Sequence, residues 1–163
     1  MEITLNFTTL AAEVKRSLSI IGKRSVDENG NLMYKDITLS SLEEPLLDDY
    51  LQQAVIDLTT ETDTFVTAST DSPLTLTLTF PANHNDALNT VITNVCKAYC
   101  VSYALYSWLS IVAPRLQEKY MGDCRRQAGA LIRLIHNKTA PATPTNNGTA
   151  VSPLAASTTV SNT

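Results

Sequence analysis

Helical spacing dominates the hydrophobic pattern of this chain. In four stretches apolar residues recur at steps of three or four, which places them on one face of an α-helix. The first stretch follows Thr8 or Thr9, either of which can cap a helix. It is predicted to stop at Gly22, because glycine readily adopts the left-handed conformation that ends helices. Its apolar face consists of Leu10, Val14, Leu18 and Ile21, with Lys15, Arg16, Lys23 and Arg24 off that face.

A second helix is predicted over residues 41–62. Ser41 and Glu44 have the spacing of a capping box, and Pro45 suits a first helical turn. The two sides of this helix differ in character, since one is apolar and the other carries carboxylates. The apolar stripe is Leu47, Leu51, Ala54 and Leu58, and the acidic side holds Asp48, Asp49, Asp57 and Glu61.

Two further helices are predicted to meet at Pro114, within residues 85–136. Proline removes a backbone hydrogen bond and clashes with the preceding turn, so it kinks or restarts a helix. Asn85 or Asp86 can cap the first of the pair. The apolar positions before the proline are Leu88, Val91 or Ile92, Val95, Tyr99, Ser102 or Tyr103, Tyr106 and Leu109. Those after it are Leu116, Tyr120, Cys124, Gln127 or Ala128, Leu131, and Leu134 or Ile135.

Alternation with a period of two predicts three short strands. Residues 2–7 form one, and residues 64–69 and 74–80 form a β-hairpin. A two-stranded hairpin is marginal alone, so a helix or another subunit should cover its leucine face. Around Asn29–Gly30, residues 25–40 are irregular. Val26 could pair with residues 32–34 as a small hairpin, or the segment could be an exposed loop.

These elements predict one mainly α-helical domain over residues 1–138. It is a small helical bundle with two long C-terminal helices, an inserted β-hairpin at about 64–80 and an extended C-terminal tail. The low glycine content of five residues favours helices over a barrel or sandwich. The tail, residues 139–163, is an arm rich in Thr, Ala, Pro, Ser and Asn without one charge. It cannot bury enough apolar area to fold by itself.

The net charge of −4 hides an asymmetry along the chain. Residues 27–63 hold ten acidic residues and one lysine, whereas residues 115–138 hold six basic and two acidic residues. If the two regions lie on opposite sides of the fold, they can join one subunit head-to-tail to the next, and such contacts generate rings. The predicted pairing sets are Asp48, Asp49, Asp57 and Glu61 against Arg115, Lys119, Arg125, Arg126 and Arg133.

Catalytic and metal-binding patterns are weak, so no enzymatic role, no cofactor and no metal are expected. A metal site would draw on His84, Cys96, Cys100, Cys124 and His136, but no C-x-x-C pair is present. A nucleophile elbow and a glycine-rich phosphate loop are also missing from the sequence. The three cysteines fall inside helical patterns, which predicts buried, reduced thiols.

Residues 92–113 are nearly long enough for a membrane span, with Lys97 as their one charge. Thr, Asn, Ser and Tyr side chains dilute the stretch, so a helix buried on most sides within an assembly is expected, and no membrane contact. The N-terminus lacks the basic and apolar regions of a secretory signal.

The order of these elements resembles the head–tail connector (head-completion adaptor) family of tailed bacteriophages. The resemblance covers residues 8–137 and rests on LAAEVKRSLSIIG, then LEEPLLDDYLQQAVIDL, then a hairpin ending LTLTFP, then the long helix pair. Two parts depart from that family: residues 23–40 form a longer link, and the uncharged arm is an addition. The matching positions are Lys15, Leu18 and Ile20, and Asp48, Asp49, Leu51 and Val55 lie near the family's acidic motif.

The resemblance implies a structural virion protein, assembled in the host cytoplasm and located in the neck. Its subunits form a ring, commonly of twelve copies, below the portal protein. The ring extends the DNA channel, with non-specific DNA contact, and docks stopper, neck or tail proteins. The main alternative is a small non-viral helical adaptor or regulatory protein, acting as a monomer or dimer. A third is a helical DNA-binding protein that uses Arg125, Arg126 and Arg133.

Overall fold

The computed structural model describes residues 1–34, 37–62, 67–72, 75–79 and 86–138. The predicted arm, residues 139–163, lies outside the described residues. The fold is mainly helical, and the predicted fold class is confirmed. In chain order its elements are β1 (Glu2–Asn6), α1 (Phe7–Arg24), α2 (Leu46–Thr62), β2 (Thr67–Ser72), β3 (Thr75–Thr79), a 3-10 turn (Asp86–Leu88), α3 (Asn89–Val112) and α4 (Pro114–Lys138).

Helix α3 is the centre of the molecule. It is apolar around most of its circumference, and α1, α2 and α4 all pack against it. Its most deeply buried side chains include Ile92, Tyr99, Cys100 and Leu109. Helix α4 makes the most extensive contact, with its apolar stripe facing α3 and its basic residues facing out. The two long helices therefore differ in position: α3 is the inner helix, and α4 is an outer, amphipathic helix.

The chain reverses at a single residue between these two helices. The Ala113 N–H donates to the Leu109 carbonyl over 2.9 Å and closes α3. Pro114 is the first residue of α4, where its missing N–H costs no helical hydrogen bond. The proline therefore restarts the helix, which was one of the two predicted outcomes.

The three strands form one antiparallel sheet in the order β1-β3-β2. Ile3 pairs with Leu78 and Leu5 with Leu76, so the N-terminal strand lies along β3. Ile3, Leu5 and Leu78 are all buried in the core. Leu78, the leucine of the hairpin whose side chain is described, is therefore covered within this chain, and β1 pairs along the β3 edge of the hairpin.

Two helix ends of the first half were predicted wrongly. Asn6, and not Thr8 or Thr9, caps α1, since its Oδ1 accepts the Thr9 N–H over 3.1 Å. Gly22 does not stop α1, which continues to Arg24. The glycine is needed for close approach instead, because a Cβ at position 22 would lie 2.9 Å from Cγ2 of Ile37.

Helix α2 begins later than predicted, at Leu46 instead of residue 41. Residues 41–45 form a turn, and the capping contact is shifted by one residue. Glu43 Oε2 accepts hydrogen bonds from the Ser40 N–H, at 2.8 Å, and from its hydroxyl, at 2.7 Å.

The start of α3 also differs, because Asp86 begins the 3-10 turn and α3 has no side-chain cap at Leu88. Asn85 lies outside the described residues.

Residues 25–34 form the small hairpin that was one of two alternatives. Val26 and Leu32 make an antiparallel bridge, and Gly30 has the positive φ of 79° that its turn requires. The Asp27 carboxylate accepts the N–H groups of two residues in that turn, and these hydrogen bonds lower the pKa of Asp27.

Further along, the irregular segment is fastened to the central helix by Ile37. The Trp108 indole N–H donates to the Ile37 carbonyl oxygen over 2.7 Å. The Ile37 side chain is itself buried. This contact anchors the chain between the hairpin and the start of α2.

Helix α3 has the length and composition of a membrane span, with a mean hydropathy of 1.2 over 18 residues. However, 44% of that window is buried inside the fold, beneath three other helices. The central helix of a helical bundle has the same length and apolar composition, and α3 is packed against three helices in the same way.

Candidate functional site

Most of the charged residues singled out from the sequence lie at three separate places. The first is a cavity of about 410 Å³ between the last turns of α1 and the first turns of α4. Three cationic side chains line it, Arg24, Arg115 and Lys119, and none of its described lining residues is acidic. We call it the basic groove. Its remaining lining residues are Ser17, Ile20, Ile21, Ser25, Leu116 and Tyr120.

The basic groove arises from the ends of two helices. Arg24 is in the last turn of α1, where a cation complements the negative end of the helix dipole. Arg115 and Lys119 are four residues apart on α4, so they project from the same side. The Lys119 ammonium lies 5.3 Å from the centroid of the Tyr120 ring, a cation–π contact. Among the described residues, no ion pair neutralises these three cations.

The second place is the turn before α2 together with its first turn. Its exposed or half-exposed residues combine two leucines with three carboxylates, and we call them the acidic edge. They are Leu42, Glu43, Leu46, Asp48 and Asp49. Acidic side chains are favoured here because the N-terminus of a helix carries partial positive charge. The pKa of Glu43 is lowered, first by its hydrogen bond from the Ser40 N–H, so this carboxylate is charged.

Glu44 belongs to the same turn but already has a partner. Its carboxylate lies 2.8 Å from the Lys15 ammonium of α1. Both side chains are almost half exposed, so the pair contributes at most about 1 kcal/mol. Its main consequence is positional, since it fastens the acidic edge against the first half of α1.

The basic groove and the acidic edge lie on opposite flanks of α1. Ser17, Ile20, Ile21 and Arg24 face the groove. Thr8, Ala11, Ala12 and Lys15 line a second cavity beside the acidic edge, together with Ser41, Glu44, Pro45, Leu47 and Asp48. At ~100° per residue the two sets are roughly half a turn apart around the helix, and roughly 13 Å apart along it. The groove and the second cavity therefore lie on opposite flanks of α1, and the acidic edge borders the second cavity through Asp48.

The third place is a cleft of about 250 Å³ between α2, α3 and α4. Asp57, Glu61 and Arg125, which were predicted to pair between subunits, line this one cleft within a single subunit. Three tyrosines of α3 form a row beside them. The Tyr99 and Tyr103 rings are stacked at 6.3 Å, and the Tyr103 and Tyr106 rings meet edge-on at 6.1 Å. We call it the tyrosine cleft.

One hydrogen bond joins the tyrosine cleft to the core. The Tyr99 hydroxyl donates to Oδ2 of Asp57. Burial, followed by this hydrogen bond and the Asp57 charge, raises the pKa of Tyr99, so the hydroxyl remains protonated. Asp57 therefore already has a hydrogen-bond partner inside the subunit. Its pairing with another subunit stays a prediction, and the hydrogen bond from Tyr99 is a simpler role for its carboxylate.

The last two predicted pairing residues lie elsewhere on α4. Arg126 is paired with Asp123 of the same helix at 2.8 Å, in an exposed contact. Arg133 is exposed and lines neither the groove nor the cleft. Sequence reasoning missed Arg24 as a groove residue and Leu42 as an exposed one. Arg24 and Arg115 line one cavity because the end of α1 and the start of α4 are brought near each other by the tertiary fold, which has no local signal.

The cysteines lie in the core, as their helical positions indicated. Cys96, Cys100 and Cys124 are buried and reduced. Burial is the first cause that raises the pKa of Cys124, to about 12, and it also raises the pKa of Cys100. A nucleophile or metal ligand must be a thiolate, which these surroundings disfavour. His84 and the side chain of His136 lie outside the described part of the chain, and the described residues contain no group of three metal-ligating side chains.

Comparison of this chain with protein-family models, with curated proteins and with solved structures finds no match.

Proposed function

We propose that this protein is a structural virion protein, a head–tail connector subunit that forms a ring below the portal. The ring extends the DNA channel and docks stopper, neck or tail proteins, in the neck of a virion assembled in the host cytoplasm. The observation that carries the proposal is the placement of a basic groove and an acidic edge on opposite flanks of α1. Surfaces placed in this way join copies head-to-tail, and a head-to-tail contact closes into a ring when its rotation permits.

The order of the elements supports the same proposal. A first helix, an acidic second helix, a hairpin and a long helix pair follow one another in the fold as in the connector family. The helix pair is also divided in the manner that an assembly needs. The inner helix α3 supplies the core, and the outer helix α4 leaves Arg115, Lys119 and Arg133 free to face other molecules.

In this proposal the protein has a geometric role and no catalytic one. The helices form a wedge that repeats around an axis, and the charged surfaces align each wedge with the next. Exposed arginines of α4 outside the groove, such as Arg133, are available for non-specific contact with DNA phosphates in the channel. Arg126 is paired with Asp123, and Arg125 lines the same cleft as Asp57 and Glu61, so two of the three arginines of the DNA-binding alternative lie near carboxylates of their own subunit.

The mass of the purified protein tests the proposal most directly. Light scattering after size-exclusion chromatography, together with negative-stain imaging, is expected to show rings or a complex with a portal protein. A monomer or dimer at every salt and protein concentration, which never joins a portal, would refute it in favour of the small adaptor alternative. Loss of assembly at high salt is weaker support, since each exposed pair contributes only ~0–1 kcal/mol.

A further inference from the structure

We propose that the acidic edge of one copy docks into the basic groove of the next, with Leu42 as the apolar residue at the centre of the contact. This inference rests on the proposed ring. It assigns the partner of the groove, a second copy of this chain, and the surface that this copy presents.

The groove combines charge with an exposed apolar rim. Ile20, on its α1 side, is 41% exposed. Met33 of the small hairpin is 54% exposed, and its N–H donates to the carbonyl of Ser25, a groove residue, over 2.8 Å. Val26 and Leu32 of the same hairpin are also exposed. Large apolar side chains gathered beside a cavity are typical of a surface that becomes covered.

The acidic edge presents an exposed apolar residue of its own. Leu42 is 91% exposed, the highest exposure among the large hydrophobic residues described. It stands on a turn whose ends are held in place, by the contact between Ser40 and Glu43 and by the pair between Glu44 and Lys15. An exposed leucine on a fixed turn can enter a cavity at a small entropic cost, because its backbone is already ordered.

The charges of the two surfaces match in number. Three cations line the groove, and three carboxylates remain on the acidic edge after Glu44 is assigned to Lys15. Charges of this kind steer association and set the register of a contact. Leu42 supplies the apolar centre that an interface needs, and the charges form its rim.

A second copy is the occupant that fits this geometry. The groove and the cavity that the acidic edge borders lie on opposite flanks of α1, so one subunit cannot bring its own acidic edge into its own groove. Each copy therefore has one donor and one acceptor surface. A free phosphate or a nucleic acid would satisfy the three cations, but it would leave Leu42, Ile20 and Met33 uncovered.

The test uses two variants of the full chain that damage one surface each. The groove variant carries Arg115→Glu and Lys119→Glu, and the edge variant carries Leu42→Ser and Asp49→Asn. The control is Glu2→Lys, a charge reversal at an exposed position of β1 that belongs to neither surface. Circular dichroism should confirm that all variants are folded, since every substituted side chain is exposed.

Each damaged variant is expected to need at least about tenfold more protein for assembly than wild type, whereas the control assembles normally. A mixture of the two variants gives the most specific result. Each pair of copies then holds one intact groove and one intact edge, so mass measurement should detect a one-to-one dimer that does not grow further. A symmetric interface, with the same patch on both copies, would not produce this behaviour.

The outcomes separate this inference from the proposed function. Rings of normal stability in both damaged variants would overturn the docking assignment and leave the ring proposal standing. A wild-type protein that stays monomeric overturns both. If inorganic phosphate or duplex DNA binds wild type, and the groove variant loses that binding while still forming rings, the groove is an anion site and the docking assignment is wrong.

Discussion

Replacing Trp108 by phenylalanine should destabilise the fold and loosen the segment between the apolar rim of the basic groove and the acidic edge. The Trp108 indole N–H donates to the Ile37 carbonyl, and the Trp108 side chain is only 3% exposed. Phenylalanine retains an aromatic ring but leaves that carbonyl without its donor. Ile37 lies between the small hairpin, at the rim of the basic groove, and the acidic edge. The same contact therefore supports the rim of the groove and the acidic edge.

The expected cost follows from two contributions. An unsatisfied buried carbonyl costs about 1–3 kcal/mol. The smaller ring adds about 1 kcal/mol for a small cavity. Together they lower the free energy of unfolding by about 2–4 kcal/mol, out of a total of about 5–15 kcal/mol for a typical domain. At about 2–4 °C per kcal/mol, the melting temperature should fall by roughly 4–16 °C.

Urea and thermal unfolding followed by far-ultraviolet circular dichroism measures this change, since Trp108 is the only tryptophan and its fluorescence is lost in the variant. Ser110→Ala is the matched control, because its exposed hydroxyl bonds only within its own helix turn, to the Ser107 carbonyl. The control should change stability by less than about 0.5 kcal/mol. If Trp108→Phe unfolds at the same urea concentration as wild type, the anchoring role of the hydrogen bond is refuted.

Three other predictions follow from single contacts. Gly22→Ala should destabilise by about 1–2 kcal/mol, because the new methyl meets Cγ2 of Ile37 at 2.9 Å, whereas the open site at Gly122 makes Gly122→Ala stabilising by about 0.5–1 kcal/mol in the same urea assay. The pKa of Asp27 is lowered in the folded protein, so its stabilising contribution is present above about pH 4 and is lost as the pH falls through the folded pKa. The free energy of unfolding of Asp27→Asn should therefore fall less on acidification than that of wild type. All three thiols are buried, and burial raises the pKa of Cys124. Iodoacetamide at pH ~8 should therefore label the three cysteines only after the protein unfolds. Rapid labelling of the folded protein would contradict this burial.

Local periodicity predicted the helices, because the spacing of apolar residues in each amphipathic helix shows which side is buried. The stripe of Leu47, Leu51, Ala54 and Leu58 is buried as predicted. The restart at Pro114 also depends on local chemistry alone. Residue-level ends were less accurate where two local signals compete. At the start of α1, Asn6 and two threonines can all cap a helix, and the neighbouring strand β1 decides between them.

Contacts between distant parts of the chain were not predictable in this way. The register of Ile3 with Leu78 joins strands at the two ends of a helical segment, and alternation alone does not show which strands pair. The candidate site depends on contacts of this kind. Charge counts indicated that residues 27–63 and 115–138 differ in sign, but they did not separate Asp49, on a free edge, from Asp57, which accepts the Tyr99 hydroxyl.

The basic groove exists because α4 starts where α3 stops, with one residue between them. Had the chain continued straight through position 114, Arg115 and Lys119 would extend beyond the end of the bundle. The reversal at Ala113 instead turns the first residues of α4 back beside the last turn of α1, where Arg24 lies. Three cations line the groove with no carboxylate among its described lining residues, and this is unfavourable for an isolated subunit. The subunit thus has three cations on one flank of α1 and an exposed leucine among carboxylates near the other. In the proposed ring these are the two halves of a repeating contact.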